Sequence, residues 1–141
     1  MVRVVVGIQA RMSSTRLPGK SLADVVGEPL IVRVWERARA ADCVDETVVL
    51  TSTEESDDPL AELCAQRCIP VRRGSLQDVL SRYLALEREL EPHYLVRITG
   101  DCPFVEPAFI DAQVAALLRF DGDRVHLRGG GCDGTLGGQG V

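Results

Sequence analysis

An α/β fold, with a parallel sheet covered by helices on both faces, is predicted by three features of this chain. Short runs rich in β-branched residues alternate with longer amphipathic segments from Val2 to Leu118. The first run, Val2 to Ile8, is apolar nearly throughout, as a strand buried on both faces must be. The connections between segments are short, which suits strand–helix–strand crossovers and little else.

Val2 to Ile8 is the first strand. Pro29 to Ala40 is predicted as a helix, with Pro29 in its first turn and Leu30, Val34 and Ala38 along one face. Thr47 to Thr51 is a second strand, again β-branched. Asp57 or Asp58 caps a helix that runs to about Arg67, with Pro59 early in it. Ile69 to Arg72 is a short strand, Ser75 to Glu91 a long helix, and Tyr94 to Thr99 the fourth strand. Glu106 to Leu118 is a fourth helix, with Pro107 near its start. This order is Rossmann-like, and sheets of that kind take ligands beyond the carboxyl ends of their strands. The segment after the first strand and Gly100-Asp101-Cys102-Pro103 after the fourth both reach that edge.

The pattern stops near residue 120, so residues 1–121 form one α/β unit. Residues 122–141 carry Gly129-Gly130-Gly131, Gly134, Gly137-Gly138 and Gly140 with few apolar residues, and a disordered or aberrant tail is expected there. The net charge of −5 argues against a general nucleic-acid binder. No apolar run approaches the roughly 20 residues that span a bilayer. The N-terminus shows no small-residue cleavage site, and a cytoplasmic protein is expected. The five cysteines include no Cys-x-x-Cys pair, and a four-ligand zinc set is missing. Buried, reduced thiols are therefore expected, with Cys64 and Cys68 at i, i+4 on one helix. His93 and His126 lack a partner pattern for acid–base work, and Trp35 reads as helix packing.

The most informative stretch is Gly7 to Ser21, which sets Arg11, Arg16 and Lys20 among small, turn-forming residues at a strand end. That much positive charge calls for a polyanionic guest, and a nucleoside triphosphate fits. Ser14 to Ser21 reads S-x-x-x-x-G-K-S, one residue short of a P-loop. A P-loop opens a helix, whereas here Gly27 and Pro29 would break one within two turns, and Pro18 removes an amide donor. An irregular loop is predicted instead. Gly19 and the serines let backbone amides approach phosphate oxygens, Arg11 and Arg16 offer forked donors, and Lys20 a point charge. A solvated basic loop paired with surface acids is the alternative.

The segment Ile8 to Lys20 (Ile-Gln-Ala-Arg-Met-Ser-Ser-Thr-Arg-Leu-Pro-Gly-Lys) resembles the N-terminal signature of cytidylyltransferases that activate acidic sugars. These include the acylneuraminate and 3-deoxy-manno-octulosonate enzymes and, nearest in pattern, the spore coat polysaccharide biosynthesis protein F branch. Three further segments agree in order: Thr51-Ser52-Thr53 with Asp57-Asp58-Pro59-Leu60, Arg73-Gly74-Ser75 with Asp78-Val79-Leu80 and Arg82-Tyr83, and Arg97 to Pro103. The first and last are specific, and the middle two supportive.

The resemblance implies a nucleotide-diphospho-sugar transferase fold, N-terminal half, and transfer of CMP from CTP to a sugar with release of pyrophosphate. It implies that Arg11 and Lys20 are catalytic triphosphate ligands with Arg16 assisting, and that Gln9 and Ala10 meet base or ribose. It also implies that the segment holding Ser75 and Asp78 lines the nucleotide side and that Asp101 is the catalytic Mg²⁺ ligand. A turn residue between Gly100 and Pro103 is the alternative for Asp101. Arg97 reaches either the site or an internal carboxylate. The expected partners are CTP and a sugar, with no nucleic acid or membrane, and a homodimer at full length. Family members are markedly longer, so truncation is expected, with a reading-frame shift near residues 122 to 128 as its cause. Sequencing the coding DNA past that point tests it. Two alternatives stand beside an impaired enzyme: a non-catalytic nucleotide-binding module, and a nucleotidyltransferase using another base.

Overall fold

A computed structural model gives the fold, and residues 1–124 are described. Four parallel strands, β1 (Val4–Gln9), β4 (Glu46–Ser52), β5 (Val71–Gly74) and β6 (Tyr94–Thr99), form one sheet in the order β5-β4-β1-β6. The helices are α1 (Leu30–Arg39), α2 (Asp58–Gln66), α3 (Val79–Leu90) and α4 (Pro107–Phe120). A small antiparallel ribbon of β2 (Asp24–Val25) and β3 (Glu28–Pro29) stands between β1 and α1.

The two-residue period of the strands sorts their side chains. Val5, Val48 and Leu50 meet Tyr83 and Leu86 of α3 on one face. Val6, Ile8 and Val49 meet Ile31 and Val34 of α1, Leu60 and Cys64 of α2, and Ile110 of α4 on the other. The division follows from handedness. The chain steps outward from β1 to β4 to β5, then returns across to β6 on the far side of β1. Crossovers in such sheets are right-handed, so the returning helix α3 takes the opposite face from α1 and α2. The strand order therefore reverses between β1 and β6, where ligands of such folds sit.

Two glycines let α3 lie close. A Cβ on Gly7 would stand 2.6 Å from Tyr83 Cε1, and one on Gly74 would stand 2.8 Å from Arg82 Cγ. The Tyr83 hydroxyl donates to the Gly7 carbonyl at 3.1 Å, which satisfies its polar tip inside the core.

Several element ends differ from expectation, each for a local reason. The helix expected from Ser75 starts at Val79, because the Asp78 side chain accepts the Ser81 amide at 3.0 Å and caps it. The Ser75 hydroxyl accepts the Asp78 amide in turn, so 75–78 stays a loop. Pro29 belongs to β3 and precedes α1 rather than opening it. Asp57 stands at the start of α2 but makes no side-chain cap; its carboxylate points elsewhere. Lys20 opens a single 3₁₀ turn, Lys20–Leu22, behind Gly19 in the left-handed region (φ 74°), and no α-helix follows, as the rejected P-loop would need.

The β2–β3 ribbon was not foreseen. Its turn residues Val26 (φ 52°) and Gly27 (φ 85°) both lie at positive φ, where valine gives no sequence signal. Arg33 holds that turn by donating to the carbonyls of Val25 at 3.1 Å and Val26 at 2.6 Å.

The cysteine expectation also needs correction. Cys64 and Cys102 are buried and Cys43 half-buried, but Cys68 is exposed. It lies past the end of α2 at φ 54°, which turns its side chain outward instead of along the helix face. Among the described residues no helix is long and apolar enough to cross a membrane. His126, Cys132 and the expected tail from 125 onward lie outside the described residues.

Candidate active site

The carboxyl ends of β1 and β6 open into a cleft of about 320 Å³. One wall is the loop after β1, with Arg11, Ser14, Lys20 and Ser21; the opposite wall is the start of α3 with Gln77, Val79 and Arg82; Thr99, Gly100 and Asp101 form the floor edge. Gly100 is there because a larger residue would not fit. Its Cβ would stand 2.8 Å from Ala10 Cβ and 3.0 Å from the Gln9 carbonyl, which accepts the Gly100 amide at 2.8 Å.

The structure brings together Lys20 and Asp101, with Lys20 Nζ 2.8 Å from Asp101 Oδ2. The hydrogen bond from Lys20 holds the Asp101 carboxyl below its ordinary range, aided by one from Thr99 and opposed by partial burial. Arg11 is exposed on the same wall. Gln9 is committed: its Oε1 accepts from Arg97 Nε at 2.9 Å and lies 3.4 Å from the Tyr83 hydroxyl, whose one proton goes to the nearer Gly7 carbonyl. Arg97 therefore reaches the side chain of Gln9 at the cleft floor. Ala10 is buried, and its amide donates to the Leu50 carbonyl at 3.0 Å, which ends the strand beneath the cleft.

Three predicted residues stand apart from the cleft wall. Arg16 is exposed and does not line it. Ser75 and Asp78 shape the loop whose neighbours Leu76, Gln77 and Val79 do. Arg73, in the same segment, turns to the start of α2, donating to the carbonyls of Ser52 at 2.7 Å and Glu54 at 3.0 Å and to Asp58 Oδ1 at 2.6 Å.

Sequence reasoning quoted Arg82 in a supportive segment but gave it no role in the site. It is buried, its Nη1 donates to the Leu50 carbonyl at 3.0 Å, and its Nε has no partner. Burial pulls its pKa below the ordinary arginine value. A guanidinium carries five donors, and a buried one with most of them unused at a cleft wall suits a ligand rich in acceptors. The signal was present: Arg82 follows Val79 by three residues and precedes Leu86 by four, a charge within an apolar stripe.

A family profile described as cytidylyltransferase matches residues 5–128. The chain belongs to the cytidylyltransferase family. It is 38% identical to the spore coat polysaccharide biosynthesis protein SpsF of Bacillus subtilis over 124 residues, 85% of this chain and 52% of that one. It is 36% identical to a 3-deoxy-manno-octulosonate cytidylyltransferase of Chlorobium phaeobacteroides over 118 residues, 84% of this chain and 47% of that one. The fold agrees. A cytidylyltransferase structure from Leptospira borgpetersenii superposes with a TM-score of 0.80 at 32% identity, covering 91% of this chain and 58% of that one. The structure of CMP:2-keto-3-deoxy-manno-octonic acid synthetase complexed with CTP gives 0.72 at 28% identity, covering 83% and 48%. This cytidylyltransferase-family chain thus spans about half the length of the curated relatives it matches.

Proposed function

We propose that the cleft binds CTP and that the chain serves transfer of CMP to an acidic sugar, with release of pyrophosphate. The observation that carries this is the meeting of Lys20 and Asp101 beside Arg11 where β1 and β6 end. In such a transfer a sugar hydroxyl oxygen bonds to the α-phosphorus while the α–β phosphoanhydride bond breaks. Negative charge grows on the departing pyrophosphate, and fixed cations lower that barrier. Arg11 and Lys20 are the residues that receive it. Arg82 and Gln77, on the opposite wall, face the nucleoside.

The donor set fits Mg²⁺, which is content with one or two carboxylates plus substrate phosphates. Asp101 is the carboxylate lining the cleft among the described residues, and no group of three or more metal-ligating side chains occurs among them. Asp101 would hold the ion together with the triphosphate, and the ion would supply neutralising charge at the phosphate oxygens. Lys20 would then leave Asp101 for a phosphate.

Binding without transfer is the second reading, favoured by that lone cleft carboxylate among the described residues. A thermal unfolding series with Mg²⁺ plus CTP, UTP, ATP or GTP tests the common part. A ligand selective for the folded state adds about 2.7 kcal/mol at a hundredfold excess over its Kd. The largest shift with CTP supports the proposal; indifference to every nucleotide overturns it; a larger shift with another triphosphate reassigns the base. Pyrophosphate release from CTP with 3-deoxy-manno-octulosonate then separates enzyme from binder, and Asp101→Ala should abolish release.

A further inference from the structure

We infer that Asp57 is a positioning residue that pins the cationic loop and so sets where Arg11 and Lys20 present their charge. Asp57 is fully buried, and its carboxylate reaches two elements besides its own. Oδ1 accepts the Met12 amide at 2.7 Å, and Oδ2 accepts the Ser52 hydroxyl. Ser52 closes β4, so the carboxylate is fixed to the sheet edge before it touches the loop.

Met12 is the point on which that loop closes. Its carbonyl accepts the Ser14 amide at 3.0 Å and the Gly19 amide at 2.8 Å, drawing both ends of the 12–19 segment to one peptide. The Ser21 hydroxyl donates to the Arg11 carbonyl at 3.2 Å and ties the preceding residue down. Met12 thus spends its carbonyl inside the loop and its amide on Asp57, a contact to a fully buried carboxylate that joins the loop to the edge of β4, while the partly exposed Lys20–Asp101 pair joins it to the end of β6. From the far side, Arg73 clamps the start of α2 through Ser52, Glu54 and Asp58, so Asp57 itself has little freedom. A carboxylate buried in this way is costly unless its acceptors are filled, and here both oxygens are. Asp57 does not itself line the cleft; its hydrogen bonds go to the loop and to β4, and its charge also favours the charged form of Arg82 across the sheet edge.

The functional half rests on the CTP proposal above; the structural half does not. Two measurements on Asp57→Ala separate them. Amide hydrogen exchange in the free protein should speed at least tenfold at Met12, Ser14 and Gly19, with the β1 and β4 amides unchanged. Unchanged loop exchange overturns the inference, and so does equal loss of protection throughout the sheet. Titration with CTP and with cytidine supplies the second readout. The variant should lose at least tenfold in affinity for CTP while cytidine binding stays within about twofold. A general loss of structure would weaken both ligands alike and overturn the positioning role. Asp57→Asn keeps an acceptor for Met12 and should restore most of the CTP affinity. If Asp57→Ala does not fold, Ser52→Ala, which removes only the hydroxyl that fixes Asp57, carries the same two readouts. A wild-type chain indifferent to CTP, with loop exchange still dependent on Asp57, overturns the nucleotide proposal and leaves the pinning role standing.

Discussion

Lys20 Nζ lies 2.8 Å from Asp101 Oδ2, joining residues 81 positions apart across the mouth of the cleft. The carboxyl is held below its ordinary range chiefly by that hydrogen bond. A depressed folded pKa means the stabilising contribution is present above the unfolded value of about 3.9 and is lost as pH falls through the folded one. Both side chains are partly exposed, so the pair adds little to stability. Lys20→Ala should raise the Asp101 pKa toward the ordinary value without a measurable change in unfolding midpoint at neutral pH. A carboxyl ¹³C titration of Asp101 reads it, and an unmoved pKa would show that the pair does not form in solution.

Arg82 offers a test in which stability and binding part company. Its Leu50 acceptor is also bonded by the Ala10 amide at 3.0 Å, so Arg82→Met leaves no carbonyl orphaned. It also removes a buried charge with an unpartnered Nε. Stability in urea should hold or rise, since an incompletely paired buried charge is costly. Affinity for CTP should fall about tenfold or more, the worth of one hydrogen bond from a charged donor. Lower stability with unchanged affinity would make Arg82 a core residue only.

Gly7→Ala should destabilise by about 1–3 kcal/mol, because its Cβ would meet Tyr83 Cε1 at 2.6 Å and the surrounding core is close-packed. The check is a urea midpoint shifted at constant m. An unchanged midpoint would mean α3 can lift from the sheet at no cost.

Among the four cysteines of the described residues, thiol labelling should begin at Cys68, ahead of Cys43, Cys64 and Cys102, as peptide mapping by mass spectrometry would show. Burial pushes the Cys64 thiol up to about 11, and burial with a hydrogen bond to Asp111 pushes Cys43 up to about 12. Little of either is thiolate near neutral pH, and the thiolate is the species that reacts. Early modification of Cys64 would indicate that α2 opens readily.

The sheet was readable from β1 and β4, which are buried nearly throughout and stand out as apolar runs; Tyr94 to Thr99 fell on its boundaries unchanged, whereas the edge strand expected at Ile69 to Arg72 lies at Val71–Gly74, where two arginines blur the apolar signal. Lys20 and Asp101 were readable in sequence as a cation and an acid in the segments that follow two strands, but the topology alone decides that β1 and β6 are neighbours. Other features depended on contacts that no local pattern encodes. Asp57 looks like a helix cap in sequence, yet its oxygens go to Met12 and Ser52, which only the folded sheet edge supplies. The Val26–Gly27 turn is imposed by Arg33 from the following helix, against the preference of valine.

The close seat of α3 has a mechanical consequence. Gly7 and Gly74 act as two notches, one in β1 beneath Tyr83 and one in β5 beneath its neighbour Arg82, with β4 between them. A rod seated in two notches can neither roll nor slide by a fraction of a turn. The side of the cleft built on α3 is therefore an anvil. Any yielding to guests of different size falls to the opposite side, where the loop is held by the Met12 amide on Asp57 and by the partly exposed Lys20–Asp101 pair.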